Sequence, residues 1–396
     1  KNKFKMNEAE RTKQDQTGTY NWNMIVALTL IPVIGVFGTG IYVYYQGIVW
    51  QEPIMLFILW FLSGMGITMG YHRLFAHKAY KTTPFVEWVL MIFGSMALEN
   101  TILKWCSDHR IHHTKAETKE DPYSITEGFW HAHIGWIVKN GSSENNRVRG
   151  VKDLKSKSAI KFQNKHYFTI GIIGGFIIPM AIGFIYDRPM GALLWAGFLR
   201  LSIVHHATFF INSMCHYFGR QTYDINSTAR DSWFVSWFTF GEGYHNYHHK
   251  FQWDYRNGVK WFAYDPSKWI IKGLSFVGIT YDLKQVKQHV IEQNKLNNLK
   301  FQLFEMFKTS SDKLKVMYQN KAEKLNEKSE HLFLLWSEME LKYAEQLSKG
   351  SSKNKELLNR LLAERKKYKA QLSGIRIDVL NMMASMKKQK RQSSLI

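Results

Sequence analysis

Four apolar stretches limit what this 396-residue chain can fold into. They run over residues 22–45, 54–71, 167–186 and 190–211. Each reaches or approaches the roughly 20 residues needed to cross a bilayer. Short turns at 46–53 and 187–189 pair them into two hairpins. The mean hydropathy of −0.29 hides this division, because the chain beyond about residue 284 is rich in Lys, Glu, Asn and Gln. The expected fold is an all-α membrane protein. It comprises an N-terminal arm (1–20), a membrane domain (21–285) whose four transmembrane helices carry a cytoplasmic helical cap, and a charged helical or coiled-coil extension (286–396).

Charge sets the expected orientation. Lys and Arg crowd the N-terminal arm, the loop from His72 to His166 and everything after His216, while the two short turns carry only Arg188. The positive-inside rule then puts both termini and the long central loop in the cytoplasm. The first twenty residues are polar and of mixed charge, so no cleavable signal peptide is expected. Cys106 and Cys215 give no disulfide framework and read as small core residues. The formal net charge of +21 fits anionic lipid headgroups or an acidic docking partner. No zinc-finger, helix-turn-helix or RNP-type motif accompanies it, so nucleic acid is not an expected partner.

Nine of the 16 histidines have the spacing of metal ligands. They are His72 and His77, the triplets His109, His112, His113 and His245, His248, His249, and His216 alone after Asn212. A triplet at i, i+3, i+4 presents three imidazoles on one side of a helix. Nine nitrogens exceed what one ion uses and suit two, although imidazole alone does not choose among Zn, Cu, Fe and Ni. On a straight helix an i, i+5 pair differs by about 140°, so His72 and His77 are not expected to share one face: one is expected to cap the span and the other to lie in the turn beyond it, serving a different ion. His131, His133, His166, His289 and His331 read as packing or surface residues; His205 and His206 stay outside the ligand set. Glu242-x-x-His245 has no mate, which argues against a carboxylate-bridged ferritin-like site. Arg200, inside the fourth stretch, reads either as a carbonyl-paired structural residue or as a charge near a substrate path.

The boxes resemble those of membrane acyl-CoA desaturases of the stearoyl-CoA, delta-9 type. The matching residues are Gly70-Tyr-His-Arg-Leu-Phe-Ala-His77, Asp108-His-Arg-Ile-His-His113, Asn212-Ser-Met-Cys-His216 and Gly241-Glu-Gly-Tyr-His-Asn-Tyr-His-His249. Asp121-Pro-Tyr, His133-Ile-Gly-Trp136 and Tyr264-Asp-Pro-Ser-Lys268 extend the match over roughly residues 20–285. The resemblance implies two Fe ions held by His72, His77, His109, His112, His113, His216, His245, His248 and His249, with Asn212 reaching one iron through a water. It implies O2-dependent removal of two hydrogens from a saturated acyl thioester, with two electrons from a ferredoxin or cytochrome b5 type donor and its reductase. Cleaving an unactivated C–H bond demands a strong oxidant in a site that excludes water. Neutral imidazoles leave the metal charge uncompensated, so carboxylates are expected behind them. Asn100, Asp108 and Lys165 match positions that hold the coenzyme A end; Trp105 and Thr208 match the bend of the acyl tunnel. Ser107 stands where those enzymes have arginine, Glu99 where they have glutamine and Phe209 where they have tryptophan. A haem-binding His-Pro-Gly-Gly signature does not occur in the sequence, so the donor is expected to be a separate protein.

Counting back from His72 in fours gives Thr68, Gly64 and Trp60, one stripe on which Gly64 leaves room and Trp60 can end the tunnel. In the tail, Leu332, Leu335, Met339 and Leu347 among alternating charges read as amphipathic helices broken at Gly350-Ser-Ser. Self-association through these helices is one reading. The competing functions are a di-iron lipid hydroxylase and a membrane metal transporter; ligands gathered at one end of the spans disfavour the latter.

Overall fold

The computed structural model describes residues 19–139, 148–348 and 355–393. The arm before residue 19 and the Gly350-Ser-Ser break lie outside them. The chain divides into two compact units, 1–221 with 226–285, and 222–225 with 286–396.

In the first unit the four long apolar helices are α1 (Trp22–Gln46), α2 (Gln51–Ala76), α5 (Ser158–Tyr186) and α6 (Pro189–Tyr217). Between α2 and α5 come α3 (Pro84–Ser95) and α4 (Ile102–Lys115). After α6 come α7 (Trp233–Phe238), α8 (His245–Lys250) and α9 (Pro266–Phe276). A two-residue antiparallel ribbon, β1 (Lys81–Thr82) with β2 (Thr280–Tyr281), ties the start of the cap to its end.

The helices outrun the apolar stretches. At 1.5 Å per residue, 26-residue α2 is about 39 Å long and 29-residue α6 about 43 Å, against a hydrocarbon core of about 30 Å. Their last turns carry His72 and His216, so these histidines lie inside continuous helices, not just past their ends. Backbone bonding at the end of α2 shifts to the i→i+5 pattern of a π-helix over Gly66–Ala76, and His77 caps it, donating its N–H to the His72 carbonyl (3.0 Å).

At the opposite end, the contacts of Arg188 account for the one basic residue in the two short turns. Its guanidinium pairs with buried Glu52 (3.1 Å) and donates to the Gln46 and Gly47 carbonyls (both 2.9 Å), joining the two hairpins. Arg200 donates to the carbonyls of Ala196 (3.0 Å), Met96 (2.6 Å) and Gly175 (3.2 Å), which fixes it as a structural residue. With His205, whose Nε2 meets the Ala97 carbonyl at 2.8 Å, it holds the turn after α3, where Leu98 and Asn100 adopt positive φ.

In the second unit, α10 (Gln288–Lys308), α11 (Asp312–Ser348) and α12 (Lys355–Ser393) share one core around Trp336, with Leu303, Leu332, Met339, Ile375 and Met386.

Candidate metal centre and its cavity

All nine histidines come together, in two groups whose ring nitrogens lie within 4.8 Å of one another. One comprises His72, His77, His109, His113 and His248; the other comprises His112, His216, His245 and His249. The partition follows helical geometry. On α4 the i, i+4 pair His109 and His113 enters the first group, while His112, turned about 100° from its neighbour His113, enters the second. On α8 the pair His245 and His249 enters the second group and His248 crosses to the first. Each triplet therefore splits between the groups instead of converging on a single point.

The expectation that His72 and His77 serve different ions is overturned. Their rings lie 4.7 Å apart in one group. The straight α-helix assumed for them is absent: in the π segment residues five apart are about one turn apart.

The inward atoms are all Nε2. In the first group His72 and His248 approach to 3.0 Å, His77 and His109 to 2.8 Å, and His113 and His248 to 2.9 Å. In the second, His112 and His249 stand at 3.2 Å and His245 and His249 at 3.0 Å. Two nitrogens each about 2.1 Å from one ion and about 90° apart are separated by about 3.0 Å, so this spacing fits a metal ion in each group.

Outer partners set the tautomer of three of these histidines. His112 Nδ1 donates to Asp121 Oδ1 (2.9 Å), and His72 Nδ1 lies 2.8 Å from Glu242 Oε2. Thr228 gives its hydroxyl proton to Glu117 Oε1 (2.8 Å), so His216 Nδ1–H must donate to the Thr228 oxygen (2.7 Å). Tyr123 Oη sits 3.3 Å from His109 Nδ1. A proton held on Nδ1 leaves the Nε2 lone pairs of His72, His112 and His216 free to bind a cation within their groups. Burial, reinforced by neighbouring imidazoles, pushes His77, His109, His113, His245, His248 and His249 well below the usual histidine range, toward the neutral form that ligates. Glu242 is held ionised: burial alone would raise it, but His72 and Arg73 outweigh that and lower it. Arg73 in turn spans Glu242 (2.9 Å) and Asp265 (3.0 Å).

The expected outer carboxylates are thus present as Glu242, Asp121 and, through Thr228, Glu117. Apart from Glu242, which stood out in Glu-x-x-His, sequence reasoning did not single out these supporting roles. The run Glu117-Thr-Lys-Glu-Asp121 directly after the first triplet, acidic in a basic loop, was the available signal.

A cavity of about 410 Å³ leads away from the first group. Of the residues expected at the substrate, Asn100, Asp108, Trp105, Thr208, Gly64 and Trp60 line it, as do Thr68 and Asn212. Lys165 is exposed on α5 and is not among the lining residues. Trp105 stacks on His109 at 4.8 Å, and its Nε1–H donates to Glu99 (3.3 Å), whose other oxygen accepts from Thr208 (2.7 Å). Asp108 accepts from Lys104 (2.6 Å). The room expected at Gly64 is filled on its Cβ side: a Cβ there would lie 2.0 Å from the Phe240 ring, which also packs on Trp60 at 4.5 Å. Asn212 is one helical turn before His216.

Membrane-length helices ending in a buried, all-histidine double cluster with an apolar cavity define an integral membrane protein with a metal site. The fatty acid desaturase family model matches residues 50–276, and the chain belongs to that family. It is 36% identical over 300 residues to acyl-CoA desaturase 1 of Saccharomyces cerevisiae (74% of this chain, 57% of that protein). It is 37% identical over 288 residues to a probable acyl-CoA desaturase of Schizosaccharomyces pombe (71% and 58%). A Delta(9)-fatty-acid desaturase of Caenorhabditis elegans, fat-6, is 36% identical over 254 residues (63% and 75%). The chain thus spans somewhat over half the length of the two yeast relatives.

Proposed function

We propose that the protein desaturates a saturated fatty acyl thioester, acyl-CoA, at the delta-9 position to a cis-monounsaturated chain. One O2, two electrons and two protons are consumed, two hydrogens leave adjacent methylenes, and two waters form. The observation that carries this reading is the pair of Nε2 clusters at the head of an apolar cavity in a chain of the desaturase family. The names of the relatives support the acyl-CoA and delta-9 terms.

In this reading His72, His77, His109, His113 and His248 hold one iron. His112, His216, His245 and His249 hold the other, with Asn212 completing it through a water. When bound, the irons supply the O2-derived oxidizing power for C–H cleavage. The chain's own groups do the rest. Glu242, Asp121 and Glu117 offset the metal charge and hold the imidazoles in register. The apolar cavity wall keeps the acyl chain extended and dry, and Trp105 presses it against the first histidine group. Asn100, Asp108 and Lys165 receive the polar end, while Gly64 and Trp60 limit chain length. The basic segments support a cytoplasmic side for both ends of this chain and for the metal site.

Lipid profiling of a desaturase-deficient host expressing the chain or its His109→Ala variant tests this. New monounsaturated chains from the parent alone are expected. Hydroxylated chains would replace desaturation by hydroxylation, and no lipid change would sink both. Purified protein from an iron-replete host should hold about two irons per chain. A single zinc with no iron-dependent activity would refute the metal assignment.

A further inference from the structure

The segment after α6 exposes a dense set of aromatic side chains. On α7, Trp233, Phe234, Trp237 and Phe238 are all at least 47% exposed, and Trp261 in the following loop is 83% exposed. Phe262, Trp269 and Phe276 continue the set through α9. They belong to one surface. Trp237 stacks on Tyr264 at 4.2 Å, and Trp269 Nε1 donates to the Trp261 carbonyl at 3.1 Å. Buried Lys268 donates to the carbonyls of Gly258, Lys260 and Ala263, locking the loop with its aromatics outward.

The depth of this surface is fixed by what lies behind it. Phe240 packs on Trp60 and Phe61, and Ser267 Oγ lies 2.5 Å from Thr68 Oγ. Counting from Gln51 at the start of α2, Trp60 and Thr68 are about 14 and 26 Å along the axis. A hydrocarbon core of about 30 Å therefore reaches the level of these contacts. Aromatics pointing outward at that level meet acyl chains and headgroups, where Trp and Phe are favoured. Lys260 over the Phe262 ring (5.5 Å) and Lys272 over the Phe276 ring (4.9 Å) add cations at the rim, suited to reach lipid phosphates.

We propose that α7, the loop 258–264 and α9 form a monotopic wedge seated in the bilayer leaflet on the histidine side. The wedge flanks the segment carrying His245, His248 and His249, so the lipid surface itself clamps that segment. The partner is the interfacial lipid of the same membrane that the four long helices cross.

The experiment uses the full chain in lipid nanodiscs, with Trp233→Cys, Trp261→Cys, Phe276→Cys or Glu120→Cys labelled by an environment-sensitive fluorophore. Native Cys106 and Cys215 are fully buried, so the parent chain should stay unlabelled. Labels at 233, 261 and 276 are expected to emit blue-shifted light and to be quenched several-fold more by spin-labelled lipid than by aqueous iodide. The label at exposed residue 120 should do the opposite. Iodide quenching at 233 and 261 equal to that at 120 would overturn the wedge. So would resistance to both quenchers, which would place these positions against protein. Position 276 keeps the test open where a variant on α7 fails to fold.

Discussion

Glu117 holds a left-handed backbone conformation (φ 65°), which costs a residue with a side chain about 1–2 kcal/mol. In return its carboxylate accepts from the Thr228 N–H (2.5 Å) and hydroxyl (2.8 Å), and Thr228 orients His216. Thr228→Val should therefore weaken metal binding by the four-histidine group about 10- to 100-fold, Glu117→Gln less, and Thr228→Ser little. Chelator competition measures it; equal loss from both groups would contradict this path. Glu99 invites a second test. Burial pushes its carboxyl up to about 7, so it is neutral below that pH and charged above it, inside an apolar wall. The KM for acyl substrate should rise as pH passes 7, at the limit roughly tenfold per unit, with kcat less affected. Glu99→Gln should flatten that profile, and an unchanged slope would exclude Glu99 as its source. At this scale the nine histidines were legible because metal chemistry dictates residue type and local spacing. Thr228 was not, because its role exists only once chain 111 residues away from Glu117 folds beside it.

The four long helices were readable from apolar length, yet the apolar stretches stopped short of the real ends, at Tyr71 against Ala76 and at Ile211 against Tyr217. His, Arg, Asn and Ser break the apolar pattern there while the helix continues into the cap. The π segment of α2 left no periodic mark, since it arises from packing: Gly66 lies against the Gly94 backbone and Gly94 against the Tyr71 ring. A Cβ at Gly66 would stand 2.1 Å from the Gly94 nitrogen, which cannot swing aside. Gly66→Ala should cost at least about 1–3 kcal/mol and lower the thermal midpoint. It should also disturb His72, a turn and a half on. Gly40→Ala meets nothing within 4 Å and should leave the midpoint unchanged or slightly raised. Equal midpoints for both variants would show that α2 and α3 are not held at this contact.

At the scale of the whole molecule, the tail's amphipathic pattern was legible but its use was not. Leu332 and Met339, expected to be available for self-association, are buried in the core of their own unit, and of the stripe only Leu347 is largely exposed. Charge is a second means of meeting partners. With a net charge of +21, the molecule attracts an acidic protein over distances set by salt, about 10 Å at 0.1 M and about 3 Å at 1 M. We propose that a ferredoxin or cytochrome b5 type protein docks through this field to deliver the two electrons. Turnover with such a donor should then fall steeply as salt rises, through a slower encounter and not a lower rate at saturation. Rates measured against donor concentration at several salt levels separate the two. A salt-independent rate, or equal turnover with a small chemical reductant alone, would rule out electrostatic docking and leave the positive charge to the lipid headgroups.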